Sequence, residues 1–189
     1  MGPKFEICSL RRARRIKRRF DAVLTIEDPE GQKFFRCLRF HKKPEPHHKV
    51  LKFEDLDQPY TSIVTATRSD ILEILRFTKK HGGENLLIHC NAGISRSTAA
   101  GLLFLSDRLG PGKERKALDE LIAIQPSAVP NLLIVQLGDQ ILGRKGKLLG
   151  AVKEWDKTRP ENAIRRRKNK ELILNHYGTD ISHMKGSRR

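Results

Sequence analysis

The sequence predicts an α/β domain with a mainly parallel central sheet flanked by helices. Short strand-like runs alternate with helical patterns up to residue 90, and only helical patterns follow. The apolar run at 86–88 is followed by a short loop and then by a helical pattern at 98–105. Open α/β sheets bind their ligands at such a loop, at the carboxyl end of a strand. A length of 189 residues, of which 38% are apolar, suits one domain with a sizeable core.

The first half of the chain alternates short apolar runs with turns. Between the first two runs, Ala13, Ile16 and Phe20 lie on one helical face, so we expect a short helix whose many basic residues face solvent. The alternative is a basic arm for nuclear localisation or nucleic-acid binding. The predicted strands span residues 5–10, 22–26, 34–40 and 49–53, with a loop at 41–48 between the last two.

The second half of the chain is dominated by helical patterns. Ser69-Asp70 can cap a helix that ends at His81-Gly82-Gly83. Beyond Asp156 the pattern weakens, and a basic run follows at 165–170. We therefore predict a folded domain over residues 1–156 and a basic extension over residues 157–189 that is either disordered or docked on a partner. The remaining predicted elements are a strand at 85–88 and helices at 96–109, 114–124 and 131–142.

The formal net charge of +16 indicates attraction to polyanions such as nucleic acid, anionic lipid or phosphorylated protein. Nucleic acid is disfavoured as the main partner, because the sequence has no RNA-binding aromatic motif, no zinc-finger spacing and only 6% aromatic residues. No apolar run reaches the roughly 18 residues that a membrane span needs. The sequence has no apolar signal-peptide core, and its three cysteines are an odd number. These features predict a cytoplasmic protein without a membrane span.

The loop that follows the run at 86–88 holds the residues on which the functional prediction depends. Backbone N–H groups at a helix N-terminus lack partners, and the helix dipole favours negative charge there, so this loop is suited to hold an anion. The same field favours the thiolate form of Cys90 at the start of the loop. Arg96 supplies a planar fork that binds two oxygens of a phosphate. The loop therefore predicts a thiolate nucleophile aimed at a bound phosphate.

The segment His89–Ser97 has the pattern His-Cys-x5-Arg-Ser and resembles the signature of cysteine-dependent protein tyrosine phosphatases. Its second half, Ala-Gly-Ile-Ser-Arg-Ser, is most similar to the dual-specificity branch. The segment 125–131 is similar to the one that these proteins place after the signature. Segments 7–10, 26–30 and 38–40 are similar to parts of a compact bacterial group. The resemblance spans roughly residues 4–156, so the predicted folded domain is a phosphatase domain.

The resemblance implies a role for each position of the loop. Cys90 would attack phosphorus and form a phosphocysteine intermediate, while Arg96 and the backbone N–H groups would hold the phosphate oxygens. Ser97 would donate to the cysteine sulfur. His89 would fix the cysteine through hydrogen bonds and help to keep its pKa low, or would be a satisfied buried histidine. Asn131 would support the loop, or would only cap the next helix. The N–H groups concerned belong to Asn91, Ala92, Gly93, Ile94, Ser95 and Arg96.

The resemblance also implies a general acid on a loop upstream of the cysteine, since the leaving oxygen needs a proton. Asp55 and Asp57 are the candidates in that region. Asp55 follows the predicted strand at 49–53 with one residue between, as the family's acid does. We therefore choose Asp55 and keep Asp57 as the alternative. The chain lacks the Trp-Pro-Asp of the tyrosine-specific branch, so this choice rests on position.

The implied function is hydrolysis of phosphotyrosine in proteins, either alone or together with phosphoserine and phosphothreonine, with no metal or organic cofactor. Alternatives are a phosphoinositide or RNA 5′-phosphate phosphatase, and a catalytically idle phosphate- or nucleic-acid-binding protein. The adjacent His47 and His48 are expected in a solvated loop, because no cysteine or third histidine is spaced to complete a metal site. Some relatives in the family protect the cysteine by a disulfide under oxidation, for which Cys8 and Cys37 are the candidate partners of Cys90; this pairing is disfavoured, because the sequence does not bring either of them near Cys90. Phosphorylated proteins are the expected partners, and the basic surface is expected to contact polyanions.

Overall fold

The structure, a computed structural model, describes residues 4–29, 37–40 and 44–178. Its central sheet has four parallel strands: β1 (Phe5–Ser9), β2 (Ala22–Glu27), β3 (His47–Lys52) and β4 (Leu86–Cys90). Their order across the sheet is β1-β4-β2-β3, so the predicted parallel α/β architecture is confirmed. All five residues of β4 are buried, because both faces of a central parallel strand are covered.

Helices cover both faces of this sheet in the described part of the chain. Ala13 and Ile16 of the first helix pack with Val23 and Leu87 on one face. The next five helices share a larger core with the other face, and the second of these five in chain order is buried from Arg96 to Ser106. The helices are α1 (Leu10–Ile16), α2 (Arg68–His81), α3 (Arg96–Leu109), α4 (Glu114–Ile124), α5 (Leu132–Ile141), α6 (Lys147–Lys157) and α7 (Pro160–His176).

The helix predictions are largely confirmed. The basic segment after β1 is helical, with Ala13 and Ile16 buried, so the interpretation as an extended arm is wrong. Helices α3 and α4 begin and end at the predicted residues. Helix α2 begins one residue before the predicted cap: Thr67 is its N-cap and forms a capping box with Asp70. None of the described helices is long and apolar enough to cross a membrane.

Two strand predictions differ from the structure. Residues 34–36 of the predicted strand at 34–40 lie outside the described residues, and 37–40 form no strand. The last two residues of the predicted loop at 41–48 belong to β3, because His47 pairs with Ala22 and His48 with Val23. Strand β3 is an edge strand that is only half-buried, so its first residues carry no apolar alternation that the sequence could reveal.

The basic extension predicted at 157–189 contains helix α7, so disorder is the wrong interpretation for residues 160–176. Leu174 of α7 is buried against Leu56 and Ile63. Arg166 donates to Asp156 at the end of α6 at 3.0 Å. Residues 179–189 lie outside the described residues, and the domain boundary at 156 stays a prediction.

Candidate active site

The signature loop, residues 91–95, joins the carboxyl end of β4 to the N-terminus of α3. The backbone turns at Gly93, whose φ is 75°. A Cβ at this position would collide with the backbone of Cys8 and Ser9, so the close approach of β1 also requires glycine. Leu10 N–H donates to the Asn91 carbonyl at 3.0 Å. The first strand of the chain thus shapes the loop.

Cys90 is buried at the end of β4, and its sulfur lies within hydrogen-bond distance of two groups. Ser97 Oγ lies 3.2 Å from Cys90 Sγ. Gly93 N–H donates to Cys90 Sγ at 3.3 Å. Among the described residues, no group accepts from the N–H groups of Asn91, Ala92, Ile94 and Ser95. The loop therefore presents the sulfur of Cys90 beside a set of free donors, which is an arrangement suited to binding of an anion.

Arg96 is buried at 4% exposure and is held at two of its three nitrogens. Nη1 donates to the Phe53 carbonyl at 2.7 Å, and Nη2 pairs with Asp28 Oδ1 at 2.6 Å. Nε has no hydrogen-bond partner among the described residues. Burial alone would lower the pKa of Arg96, but the nearby Asp55, Asp28 and Cys90 raise it, so the guanidinium is charged. A buried cation with an unused donor is a site for an oxyanion.

His89 is buried behind the nucleophile in a chain of hydrogen bonds. Its Nε2 lies 2.8 Å from Thr25 Oγ1, which is also 2.8 Å from Nε2 of His48. Its Nδ1 lies 3.4 Å from the Cys90 carbonyl. Burial lowers the pKa of His89 to about 4, and that of His48 to about 4 as well. His89 is therefore neutral at neutral pH and contacts the backbone of Cys90 rather than its sulfur.

Asp55 and Asp57 lie in the loop after β3, which we call the acid loop (residues 54–57), but they face different surroundings. Asp55 Oδ1 accepts from Ser95 Oγ at 2.7 Å, so its carboxylate lies against the signature loop. Asp57 Oδ1 accepts from Leu132 N–H at 2.6 Å and from Arg166 at 3.0 Å. Burial raises the pKa of Asp57, and Arg166 opposes this shift. Asp55 thus contacts the signature loop, whereas Asp57 accepts from the first N–H group of α5.

The segment 125–131 packs against both loops. Gln125 Nε2 donates to the Gly93 carbonyl at 3.0 Å, and Val129 N–H donates to the Ile94 carbonyl at 2.8 Å. Asn131 Nδ2 donates to Asp55 Oδ1 at 2.9 Å, while its Oδ1 accepts from Ile134 N–H at 3.0 Å. Asn131 therefore caps α5 and holds the acid loop. Its backbone N–H also reaches the Ser95 carbonyl at 3.4 Å.

Helix α7 contacts the same acid loop from the outside. Asn169 Nδ2 donates to the Asp55 carbonyl at 2.7 Å. Tyr177, directly after α7, donates its hydroxyl to Glu54 Oε1 at 2.9 Å. Between α7 and the signature loop lies a cavity of about 300 Å³ whose lining includes Ile94, Val129 and Arg165. The basic extension is thus part of the wall of the site.

All three cysteines are free thiols. Cys8 packs on the face of the sheet that α1 covers, whereas Cys90 belongs to the core on the other face. Burial raises the pKa of Cys8 to about 12. Cys37 lines a small cavity together with Cys90 and Asp28. Pairing of Cys8 or Cys37 with Cys90 under oxidation stays a prediction.

Sequence reasoning missed two residues of the site. Asp28 pairs with Arg96, and nothing in the sequence around it indicates this contact. Its position directly after β2 was the available signal, because the carboxyl ends of parallel strands meet at one edge of the sheet. Asn169 lies within the basic run at 165–170, and the charge of this run is typical of a solvated extension.

Comparison with known proteins agrees with this fold. No family model matches the chain, and no curated protein matches it by sequence. Among solved structures, Tk-PTP in the active form is similar with a TM-score of 0.56 and 24% identity, covering 76% of this chain and 93% of that one. DUSP15 has a TM-score of 0.54 and 19% identity over 80% of this chain and 92% of its own. PTPMT1, solved in complex with PI(5)P, has a TM-score of 0.54 and 17% identity over 75% and 94%. The chain therefore has the α/β fold of the protein tyrosine and dual-specificity phosphatases.

Proposed function

We propose that the chain is a cysteine-dependent phosphatase that hydrolyses phosphotyrosine, and also phosphoserine or phosphothreonine, in proteins through a phosphocysteine intermediate. The observation that carries this proposal is the surroundings of Cys90. Its sulfur accepts from Gly93 N–H and lies 3.2 Å from Ser97 Oγ, and the buried Arg96 of the same segment has an unused Nε donor. Phosphorylated proteins would be the partners, and the charge of +16 would favour their approach.

In the first step, Cys90 Sγ attacks phosphorus, an S–P bond forms, and the P–O bond to the leaving group breaks. Arg96 Nε and the free N–H groups of the signature loop bind the non-bridging oxygens. Because these donors are fixed in place, they match the charge of the transition state without rearrangement. Asp55 gives its proton to the leaving oxygen. Ser95 and Asn131 both occupy Oδ1 of this carboxyl, which leaves Oδ2 to carry the proton.

In the second step, water attacks phosphorus, an O–P bond forms, and the S–P bond breaks. Asp55 now accepts the proton of the water, so that phosphate and the starting state of the site are regenerated. The leaving group is the thiolate of Cys90. The hydroxyl of Ser97 at 3.2 Å stabilises the charge that develops on the sulfur.

Replacement of the nucleophile tests the proposal. We expect Cys90→Ser to abolish hydrolysis of p-nitrophenyl phosphate, because the serine hydroxyl is a far weaker nucleophile than a thiolate. Cys8→Ser is the matched control, since Cys8 is equally buried but packs on the other face of the sheet. Rapid acid quench with a ³²P-labelled substrate should trap a phosphoprotein in the wild type and none in Cys90→Ser. Full activity of Cys90→Ser would refute the mechanism.

A phosphoinositide phosphatase is the second candidate. Two observations favour it: PTPMT1 is a structural neighbour solved with PI(5)P, and the chain is strongly basic. The signature loop itself argues against it, because none of Asn91, Ala92, Ile94 and Ser95 is a cation that would bind a second phosphate. Release of phosphate from PI(5)P vesicles compared with a phosphotyrosine peptide, at equal concentration, distinguishes the two. A higher kcat/KM on the lipid than on the peptide would make the phosphoinositide phosphatase the first candidate.

A further inference from the structure

Three side chains that can bind metals meet at the end of the sheet opposite to the signature loop. His47 begins β3, His81 ends α2, and Glu84 lies just before β4. One ligand atom from each lies within 4.8 Å of the other two. His81 Nδ1 is 3.2 Å from both carboxylate oxygens of Glu84. The rings of His47 and His81 stack with their centroids 4.4 Å apart.

The charge around this cluster differs from that of the rest of the chain. Beside the cluster is an open cavity of about 560 Å³. Asp21, Glu45 and Glu84 line this cavity, with Arg18 as its basic residue. In a chain with a net charge of +16, a pocket with three carboxylates and one cation attracts cations locally.

An ion pair at the end of a helix would account for His81 and Glu84 alone. It would not account for His47. The imidazole of His47 packs against that of His81, and His47 itself lines the cavity that holds the three carboxylates. Imidazole and carboxylate ligands together suit Zn²⁺, Co²⁺ and Ni²⁺. Sequence reasoning rejected a metal site at His47 because no third residue was spaced to complete it. The fold supplies His81 and Glu84 from a distant part of the chain.

We propose that His47, His81 and Glu84, with water completing the coordination, form a binding site for a divalent transition-metal ion of the Zn²⁺ type. The site joins the start of β3 to the end of α2 and the approach to β4. Because Cys90 lies at the opposite end of β4, the ion takes no part in phosphate chemistry. Its effect is on stability, since a ligand that binds only the folded state raises the unfolding temperature.

Titration of the full chain with metal tests this proposal. Cys90→Ser is the background, so that the reactive thiolate does not compete for metal. We expect one Zn²⁺ per chain by calorimetry, a rise in Tm with Zn²⁺, and a Co²⁺ spectrum without thiolate charge transfer. His47→Ala and Glu84→Gln should each weaken binding by more than about tenfold, because even loss of an outer-shell partner has an effect of that size. Since His47 is exposed, its replacement should leave the fold intact.

His176→Ala, on exposed α7, is the matched histidine control and should leave metal binding unchanged. Three results would overturn the proposal. The first is no saturable binding of Zn²⁺ to the protein. The second is binding of unaltered affinity in both His47→Ala and Glu84→Gln. The third is a Co²⁺ spectrum dominated by thiolate ligands.

A separate observation concerns how the acid loop is held. Residues of α7 and its end contact three of the four residues of this loop through hydrogen bonds. Asn169 holds the carbonyl of Asp55 at 2.7 Å, and Arg166 holds the carboxylate of Asp57 at 3.0 Å. Arg166 is itself fixed by Asp156 at 3.0 Å. These contacts reach a loop more than 100 positions away in sequence, so α7 is a long-range brace.

We infer that Asn169 is a positioning residue that fixes Asp55 for proton transfer, an inference that rests on the proposed phosphatase function. Asn169→Asp is isosteric, but its ionised carboxylate cannot donate to the Asp55 carbonyl. We expect kcat on phenyl phosphate to fall about tenfold, which is part of what a general acid contributes. On p-nitrophenyl phosphate, whose leaving group needs less help, kcat should fall less, and KM should stay the same on both. Asn169→Gln, which keeps the donor, should recover part of the loss.

Asn175→Ala, on an exposed position of α7, is the control and should behave as wild type. If wild-type protein hydrolyses neither ester, the proposed function fails. If it hydrolyses both and Asn169→Asp has an unchanged ratio of the two rates, only the positioning role of Asn169 is refuted. A change in KM alone would also refute it, because that would show a role in binding rather than in proton transfer.

Discussion

Asp28 Oδ1 lies 2.6 Å from Nη2 of Arg96, so a carboxylate from the end of β2 holds the arginine that begins α3. The Phe53 carbonyl holds the other terminal nitrogen at 2.7 Å. Together they fix the plane of the guanidinium and direct Nε away from both. The orientation of Arg96 is therefore set by two neighbouring strands rather than by the loop that carries it.

Asp28→Asn should lower kcat/KM for p-nitrophenyl phosphate by about tenfold, because loss of one charged hydrogen bond costs on that order and frees Arg96 to turn away from the phosphate. Asp119→Asn is the control, since Asp119 pairs with Arg115 on the exposed face of α4. Steady-state kinetics of both variants provide the measurement. An Asp28→Asn enzyme as active as wild type would show that Phe53 alone orients the arginine.

Ser97→Ala should slow breakdown of the phosphocysteine more than its formation, because the hydroxyl stabilises the departing sulfur. We expect a burst of p-nitrophenol followed by a reduced steady rate, and a larger amount of trapped phosphoprotein. Ser106→Ala is the matched control: Ser106 is also buried on α3, but its hydroxyl has no partner among the described residues. Equal slowing of burst and steady state would contradict the assigned role.

Asp55→Asn and Asp57→Asn should separate chemistry from stability. Asp55→Asn should reduce kcat on phenyl phosphate by about 100-fold, the lower range of a general acid's contribution, and on p-nitrophenyl phosphate much less. Asp57→Asn should instead lower the urea midpoint of unfolding, since it loses its ion pair with Arg166. The reverse pattern, with the leaving-group effect in Asp57→Asn, would make Asp57 the acid.

The stability of the protein should decrease in mild acid. Burial lowers the pKa of His48 and of His89 to about 4, whereas a histidine in an unfolded chain titrates near about 6.5. Between these pH values the unfolded chain binds protons that the folded protein does not, so the free energy of unfolding falls as pH falls. His48→Gln removes one of the two groups and should make this fall shallower in urea titrations at pH 7 and pH 5. Identical pH dependence in wild type and variant would refute this account.

The parts of the fold that the sequence predicts best are those with local patterns. Helix α3 is bounded by the loop glycine and by Gly110, and α4 by turn residues, so both were located to the residue. Strand β3 is an edge strand with half-buried residues, and its first residues have no periodicity to read. The hydrophobic pattern of a strand shows only where one face is consistently buried.

The residues of the site likewise differ in whether a local sequence pattern reveals them. Cys90, Arg96 and Ser97 stand in one short segment, so their pattern is visible in the sequence, and their catalytic roles stay predictions. Asp28 and Asn169 act through partners that only the fold brings near. The preference for Asp55 over Asp57 rested on distance from a strand end. The contact with Ser95 supports this preference, while the role as general acid stays a prediction.

The contacts that β1 and α7 make with the two loops bear on the order in which these loops are stabilised during synthesis. Leu10, directly after β1, holds the Asn91 carbonyl, and Asn169 of α7 holds the acid loop. A ribosome adds residues in order from the N-terminus, and domains fold as their residues emerge. A nascent chain that ends at Ser97 has the residues of the signature loop but lacks α7, whose Asn169 holds the acid loop. The acid loop is therefore braced only after the chain has grown by more than 100 residues beyond it.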